Sequence, residues 1–393
     1  MGDNGGERQG ILKSWVEISK ARLKENFRAI QSTAGAGVEV LAVVKSNGYG
    51  HDAAACGLAL VEAKARWLGV SDVDEGARLR ERLGEGSTRV LVMGGMELSD
   101  AAEIAKYGLT PVVWTVEHVA AMEKAARAAG QRLQVHLEID TGMSRQGAQL
   151  GENLAAVLAR LAGSRWLHCE GVMSHLSSAE IAESEVTASQ QEKFAEAIAQ
   201  VMAAGIQPEF VHLGNSSAVD EGSTMAWVRE TAKKIGARAM VRAGLAVYGM
   251  CMEVEGGKSL LAAKLKPAMT WKTHVIGLRE IEKGTTVGYG ATFMAKRKMR
   301  IALLLVGYAD GFRREASSGM GNGWVMIAGK KAKVVGRVSM NLTTVDVSGI
   351  DGVQVGSEAV LLGEGVTAED HARWAGTIAY DIVCGVKAKF VAK

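Results

Sequence analysis

At 393 residues and a formal net charge of +3, the chain is long enough for two domains with full cores, and its charge balance gives no cause to expect nucleic acid as a partner. Cys56, Cys169, Cys251 and Cys384 stand far apart, with neither CxxC nor metal spacing, so reduced thiols are expected rather than a disulfide framework or a metal site. The sequence holds no signal peptide and no apolar run of membrane-spanning length, and the expectation is a cytoplasmic protein without a membrane partner.

In chain order, "MGDNGGERQG" is polar and Gly-rich, and residues 1–12 are expected to form a flexible tail. A helix is expected over residues 20–31. Short apolar, β-branched runs then alternate with Ala-rich stretches of helical period: "VEVLAVV", "RWLGVS", "RVLVMG", "TPVVWT", "LQVHLEID", "LHCEGVMSH", "FVHLG" and "RAMVRAG". Helices are expected between them over 53–65, 74–83, 117–130 and 186–205. Near-continuous apolar strands alternating with helices imply parallel strands covered on both faces. Eight such units close into a (β/α)8 TIM-type barrel of about 250 residues, here assigned to 13–250; a doubly wound open sheet is the alternative. From Lys264 onward short β runs are separated by Gly, Lys and Asn turns, which makes 251–393 a mostly β domain with one helix over 368–376.

The stretch "VLAVVKSNGYGHDAAA" (40–55) leads an apolar run straight into Lys45. A buried ammonium is costly unless paired or deprotonated, so Lys45 either escapes to solvent at a strand end or does chemistry there. Active residues of such barrels sit at the C-terminal ends of strands. Applied to the eight runs, that rule selects Lys45 and Tyr49, Asp140 and Arg145, His175, Asn215 and Ser216, and Arg242 and Gly244. Singly each has a bland reading, a solvated strand end or a structural histidine. Together they describe an anion site beside a lysine able to condense with an aldehyde. "GNSS" (214–217) reads as a turn opening a helix, and "RAGLAVYG" (242–249) offers bare backbone N–H groups; both suit phosphate. A lysine, a phosphate seat and a cation near a ring nitrogen are what pyridoxal 5'-phosphate (PLP) needs. "AGAG" (34–37) precedes a strand and is no dinucleotide loop, "GMGNGW" (319–324) reads as a turn, and His168 and His175 have no convincing set of metal ligands around them.

On these motifs the sequence resembles the alanine racemase family of fold-type III PLP enzymes, from "WVEISKARLKENF" (15–27) to "AYDIVCGVKAKF" (379–390). The resemblance implies that Lys45, in "AVVKSNGYGHDA", carries the cofactor and acts as one catalytic base. It implies phosphate contacts for Tyr49, Ser216, Gly244, Leu245 and Tyr380, with Asn215 beside them in "GNSSA". It sets Arg242 at the pyridine nitrogen and His175, in "EGVMSHLSS", against the ring. Arg145, in "DTGMSRQG", would bind the substrate carboxylate. From the β domain, Tyr289 in "VGYGATF" would be the second base, while Tyr308 in "VGYADG" and Met340 in "GRVSMN" would belong to the substrate entrance and pocket. In this family the β domain serves the partner subunit's site, so a head-to-tail homodimer with composite sites is implied.

The expected activity is interconversion of L-alanine and D-alanine, with a base on each face of the α-carbon, to supply D-alanine for peptidoglycan. A serine or broad-specificity racemase is the alternative within the class. A fold-type III decarboxylase and a non-catalytic PLP carrier are alternatives outside it. Three features depart from the family. Asn341 stands where aspartate is usual, Glu138 stands where many members have a carbamylated lysine, and residues 220–237 form a polar stretch without an assigned role. The strand period puts His136, Glu138 and Asp140 on one face, and Arg145 is the expected partner of Glu138.

Overall fold

A computed structural model describes residues 12–84, 86 and 88–391. The tail expected over 1–12 lies, except for Leu12, outside the described residues. The chain forms two compact units. One is Lys20–Lys266; the other joins the described residues before Lys20 to those from Pro267 on. Strand β1 (Ser14–Ile18) belongs to the second unit.

The first unit opens with helix Lys20–Ala34 and continues through β2 (Glu39–Val43), β3 (Trp67–Val70), β4 (Arg89–Val92), β5 (Thr110–Val113) and β6 (Leu133–Asp140). A two-residue strand, β7 (Ala148–Gln149), pairs onto the end of β6. Then come β8 (Leu167–Met173), β9 (Phe210–Asn215) and β10 (Arg238–Ala243). Leaving β7 aside, each strand pairs in parallel with the next, and β10 pairs with β2, so the sheet closes. Closure excludes the open doubly wound sheet and leaves no edge to protect. All eight strands fall on the runs expected to form them. β2, β3 and β5 are buried along their whole length, as strands covered on both faces must be.

The helices follow local chemistry. In Val73–Leu83 the Asp72 carboxylate accepts from the Glu75 amide as an N-cap. Asp74 and Glu75 lie in the first turn, Arg80 and Arg82 in the last, and Gly84 stops the helix at φ 69°. Val73, Gly76, Ala77 and Leu79 are its buried face. Losing the Asp72 cap would cost about 1 kcal/mol. The unassigned stretch 220–237 contains helix Ser223–Lys234, which buries Thr224, Met225, Val228 and Ala232 and supplies the crossover from β9 to β10.

The domain boundaries differ from those expected at 13–250 and 251–393. Residues 251–266 stay with the barrel because its side chains hold their backbone. Asn26 accepts from the Lys266 amide and donates to the Lys266 carbonyl, both at 2.9 Å, and Asp220 accepts from the Leu261 amide at 2.7 Å.

The second unit contains β11 (Met269–Ile281), β12 (Thr286–Val287), β13 (Phe293–Met294), β14 (Met299–Leu304), β15 (Trp324–Ile327), β16 (Lys330–Lys333), β17 (Thr343–Asp346), β18 (Glu358–Leu362) and β19 (Lys389–Val391). The main sheet runs β16-β15-β18-β11-β1-β19, with β14 also on β11 and β17 on β14. The first seven residues of β11 alternate buried with half-buried, the signature of a strand with one face on a core. β1 lies between β11, antiparallel, and β19, parallel. Helix Ala368–Ala375 forms where one was expected, capped by Thr367 and Asp370, and a second short helix, Ala379–Cys384, follows it.

Candidate active site

The site begins where β2 ends. The Val44 amide still bonds Gly69 O at 2.7 Å, and the chain then leaves the sheet at half-buried Lys45. Ser46, Asn47, Gly48 and Tyr49 follow as a left-handed turn, with φ of 52°, 52°, 65° and 52°. Only glycine adopts that region freely, so the turn persists because its surroundings hold it. The Gly48 amide bonds Val44 O at 2.8 Å, and Asn47 Oδ1 accepts from the Ala53 amide at 3.0 Å. The buried Tyr49 ring lies 5.1 Å from that of Tyr248, whose hydroxyl donates to Val43 O at 3.0 Å. Thus the apolar run carries the chain to Lys45 at the C-terminal end of β2, and the turn sets Tyr49 against Tyr248.

Tyr49, Ser216, Gly244 and Leu245 are brought together. Asn215 accepts from the Ala218 amide at 3.0 Å and caps helix Ser216–Glu221. Ser216 Oγ accepts from the amides of Gly244 at 2.9 Å and Ala246 at 3.3 Å. A Cβ on Gly244 would stand 2.5 Å from Tyr49 Oη, so only glycine lets that hydroxyl approach the backbone. Leu245 is buried and opens the short 3-10 helix Leu245–Tyr248. Backbone donors converging on an oxygen acceptor, with a further hydroxyl at the same turn, fit a phosphate group.

Arg242 is buried at the end of β10. Its Nη1 donates to His212 Nδ1 and to His212 O, both at 3.1 Å; its Nη2 donates to Ser174 O at 2.7 Å and His175 Nδ1 at 3.0 Å. Among the described residues its hydrogen bonds all run through these two terminal nitrogens, which leaves Nε to meet a ligand atom. Burial lowers the guanidinium to about 10, against the pull of Glu138, and it remains a cation at neutral pH. Burial first, then Arg242, Arg145 and Lys45, lowers His175 to about 3, so this imidazole is neutral and accepts from Arg242. These features fit the PLP ring and its nitrogen as the turn at Gly244 fits its phosphate.

Arg145 stands on a turn built by Asp140, whose Oδ1 accepts from the amides of Gly142 and Ser144, each at 3.0 Å. A Cβ on Gly147 would lie 2.5 Å from the Asp140 amide, so the chain returns past β6 only as glycine. Glu138 faces the barrel interior, as the strand period requires, and burial raises its carboxyl above the usual range. The expected pairing with Arg145 is corrected. Glu138 Oε2 accepts from Gln146 Nε2, which also donates to Met93 O at 2.9 Å, whereas Arg145 is exposed and makes no ion pair among the described residues. The Glu138 carboxylate is thus met by the Gln146 amide, while the Arg145 guanidinium faces solvent. Glu138, Asp140, Met143, Arg145, Gln146 and His175 line one narrow hollow.

The remaining candidates lie in the β unit. Tyr289, on the link between β12 and β13, is 71% exposed; Met340 is 55% and Tyr308 43% exposed, and Asn341 is exposed too. Their loops are neighbours. The Tyr308 amide bonds Ser339 O and the Ala309 amide bonds Met340 O, each at 3.0 Å, while a Cβ on Gly288 would meet the Arg337 amide at 3.1 Å. Half-buried Tyr380 lies on helix Ala379–Cys384, which Arg313 joins to the Tyr308 segment through Asp381 O at 3.1 Å. His212 and Gln146 were not selected from the sequence. The histidine in "FVHLG" sits inside an apolar strand, and its place there was the available signal.

Two family profiles match the chain, "Alanine racemase, N-terminal domain" over residues 18–251 and "Alanine racemase, C-terminal domain" over 268–392. The chain belongs to the alanine racemase family. It is therefore an enzyme of the isomerase class, an amino-acid racemase. It is 36% identical to the alanine racemase of Symbiobacterium thermophilum over 383 residues, 96% of each chain. Among solved structures it matches the alanine racemase of Streptomyces coelicolor A3(2) with a TM-score of 0.86 and 32% identity, covering 97% of this chain and 98% of that one. The alanine racemase of Bartonella henselae with covalently bound pyridoxal phosphate has a TM-score of 0.81 over 97% and 99% of the two chains; at 24% identity that likeness concerns the fold.

Proposed function

We propose that the protein interconverts L-alanine and D-alanine with PLP held by Lys45, in a head-to-tail homodimer, and so supplies D-alanine for peptidoglycan in the cytoplasm. The observation that carries this reading is the convergence of Lys45, the Gly244 turn and the Arg242–His175 pair at the C-terminal ends of parallel strands. When bound, PLP supplies the electron sink that makes an amino acid's α-hydrogen removable. The chain's own groups do the rest. Tyr49, Ser216 and the backbone of Gly244 and Leu245 hold the phosphate, with Asn215 and Tyr380 in support. Arg242 Nε meets the ring nitrogen, and neutral His175 lies against the ring.

Arg145 binds the substrate carboxylate. Glu138 holds its turn in place through Gln146 rather than by direct contact. The Lys45 amine moves a proton on one face of the α-carbon, and the Tyr289 hydroxyl of the other subunit serves the opposite face. Tyr308, Met340 and Asn341 shape the entrance. The exposure of these four residues on neighbouring loops supports a role completed by a second copy. Among the described residues no helix is long and apolar enough to cross a membrane.

The test is L-alanine incubated with PLP-loaded protein in deuterated water. D-Alanine carrying deuterium at the α-carbon is the expected product. Exchange on serine or a basic amino acid with none on alanine would move the activity to another substrate, and carbon dioxide release would make it a decarboxylase.

A further inference from the structure

A file of polar side chains crosses the interior of the barrel, where apolar layers are the rule. Arg242 Nη1 is 3.1 Å from His212 Nδ1, His212 Nε2 is 3.0 Å from His136 Nδ1, and His136 Nε2 is 3.4 Å from Glu170 Oε2. The last is a close approach and not a formed hydrogen bond: among the described residues His136 Nε2 has no hydrogen-bond partner, and the Glu170 carboxylate is the acceptor it faces. Glu170 is in turn gripped by Arg89, Nη1 to Oε1 at 2.7 Å and Nη2 to Oε2 at 2.9 Å.

The direction of this file is fixed from both ends. A guanidinium only donates and a carboxylate only accepts. His212 Nδ1 must therefore be a lone pair. Burial lowers both imidazoles below their ordinary range, so each is neutral with a single N–H. His212 then carries its proton on Nε2 and gives it to His136 Nδ1, and His136 carries its proton on Nε2, toward Glu170. Burial pushes the Glu170 carboxyl up, but the neighbouring His136 N–H and the hydrogen-bonded Arg89 guanidinium outweigh it and hold the group at about 2, an anion at neutral pH.

The backbone is shaped for this arrangement. Between β6 and β8 the register slips so that Val135 faces Cys169 and His136 faces Gly171, which makes Glu170 the extra residue of a bulge. A bulge re-aims a side chain that regular pleating would direct elsewhere. Next to it, a Cβ on Gly171 would stand 2.6 Å from His136 Nδ1, so the imidazole lies where only glycine leaves room. A second slip, between Met240 and Arg242 in the β9–β10 pairing, flanks the other end of the file.

We propose that Glu170 is a positioning residue for the cofactor ring: through His136 and His212 it fixes which imidazole nitrogens carry protons, and so holds Arg242 as a donor aimed at the ring nitrogen. This rests on the PLP reading above. Without the charge at position 170 the file can reverse, with His136 Nδ1–H donating to His212 Nε2. His212 Nδ1–H would then face Arg242 Nη1, two donors in contact, and the guanidinium would lose its anchor.

The test is ¹⁵N NMR of histidine-labelled protein, parent and Glu170→Gln, without and with PLP. Parent protein should show Nδ1 unprotonated on both His136 and His212 at neutral pH. Glu170→Gln should show protonated Nδ1 on His212, a shifted visible absorption band of the bound cofactor, and kcat lower by about tenfold or more with KM for alanine unchanged. Glu170→Asp keeps the charge and should keep the parent's tautomers; it also serves if the Gln variant does not fold. A proton on His212 Nδ1 in the parent, or parent tautomers in the Gln variant, overturns the relay. Reversed tautomers with an unchanged band and kcat overturn its role at the ring. Parent protein that neither binds PLP nor racemises alanine would refute the cofactor reading instead, and the tautomers would still report on the relay.

Discussion

The Glu138 carboxylate takes its hydrogen bond from Gln146 and not from Arg145, although it shares a hollow with both. An acid facing the barrel interior is thus tied to an uncharged amide, and its burial is only partly offset. That leaves a carboxyl whose ionised form is disfavoured by folding.

The consequence for stability has a definite sign. A folded-state pKa above the unfolded value, about 4.3, means the folded protein binds the proton more tightly. The resulting stabilisation is present at low pH and is lost as pH rises through the raised folded value. Glu138→Gln should therefore melt higher than the parent at neutral pH, and this advantage should disappear below about pH 4. Thermal melts of both proteins across that range check it. An advantage that grows on acidification would contradict the assigned direction.

Composite sites can be tested by complementation. Lys45→Ala should lose the borohydride-fixable PLP bond and nearly all racemisation, and Tyr289→Phe should also be crippled. If the sites are head to tail, a mixed dimer of the two variants has one site with both residues intact and one with neither. Equimolar remixing of subunits should then restore about a quarter of parental activity, since half the dimers are mixed and one site in two is whole. No recovery after verified subunit exchange would place Tyr289 in its own subunit's site or outside catalysis.

Tyr289→Phe also separates the two faces. Deuterium wash-in from L-alanine should be abolished, while D-alanine keeps residual exchange through Lys45. Unchanged rates from both enantiomers would remove Tyr289 from the mechanism.

The phosphate turn has a steric test. Gly244→Ala sets a methyl 2.5 Å from Tyr49 Oη, and the hydroxyl must withdraw. PLP should bind about tenfold more weakly, equivalent to about 1.4 kcal/mol. Equilibrium dialysis against PLP measures this, and parental affinity would show that Tyr49 does not contribute to the phosphate seat.

The eight barrel strands were legible because strands covered on both faces must be apolar throughout, and "VEVLAVV" or "TPVVWT" can be little else. The placement of Lys45 and His175 just past such runs, and of Arg242 near the end of one, was legible for the same reason. Partners set by distant chain were not. Nothing local in "SWVEI" says that it joins β11, and nothing in 251–266 says that Asn26 and Asp220 hold it to the barrel. Glu170 escaped notice because a bulge turns it inward, and a one-residue slip leaves no mark in period. Gln146 escaped because a charge in the sequence suggests a charge as partner, while geometry put an amide nearer.

Strand β1 has a history that follows from its neighbours. Thr273 donates to Lys13 O across 260 positions of sequence, and β19, on the other side of β1, ends at Val391. At about 5–20 residues per second of synthesis, roughly 13–50 s separate the appearance of β1 from that of its first partner. All the barrel strands leave the ribosome in that interval, with "SWVEI" still unpaired behind them. A chain stalled before Met269 thus carries an orphan apolar strand on its leading end, and that segment is where chaperones would find a nascent copy of this enzyme.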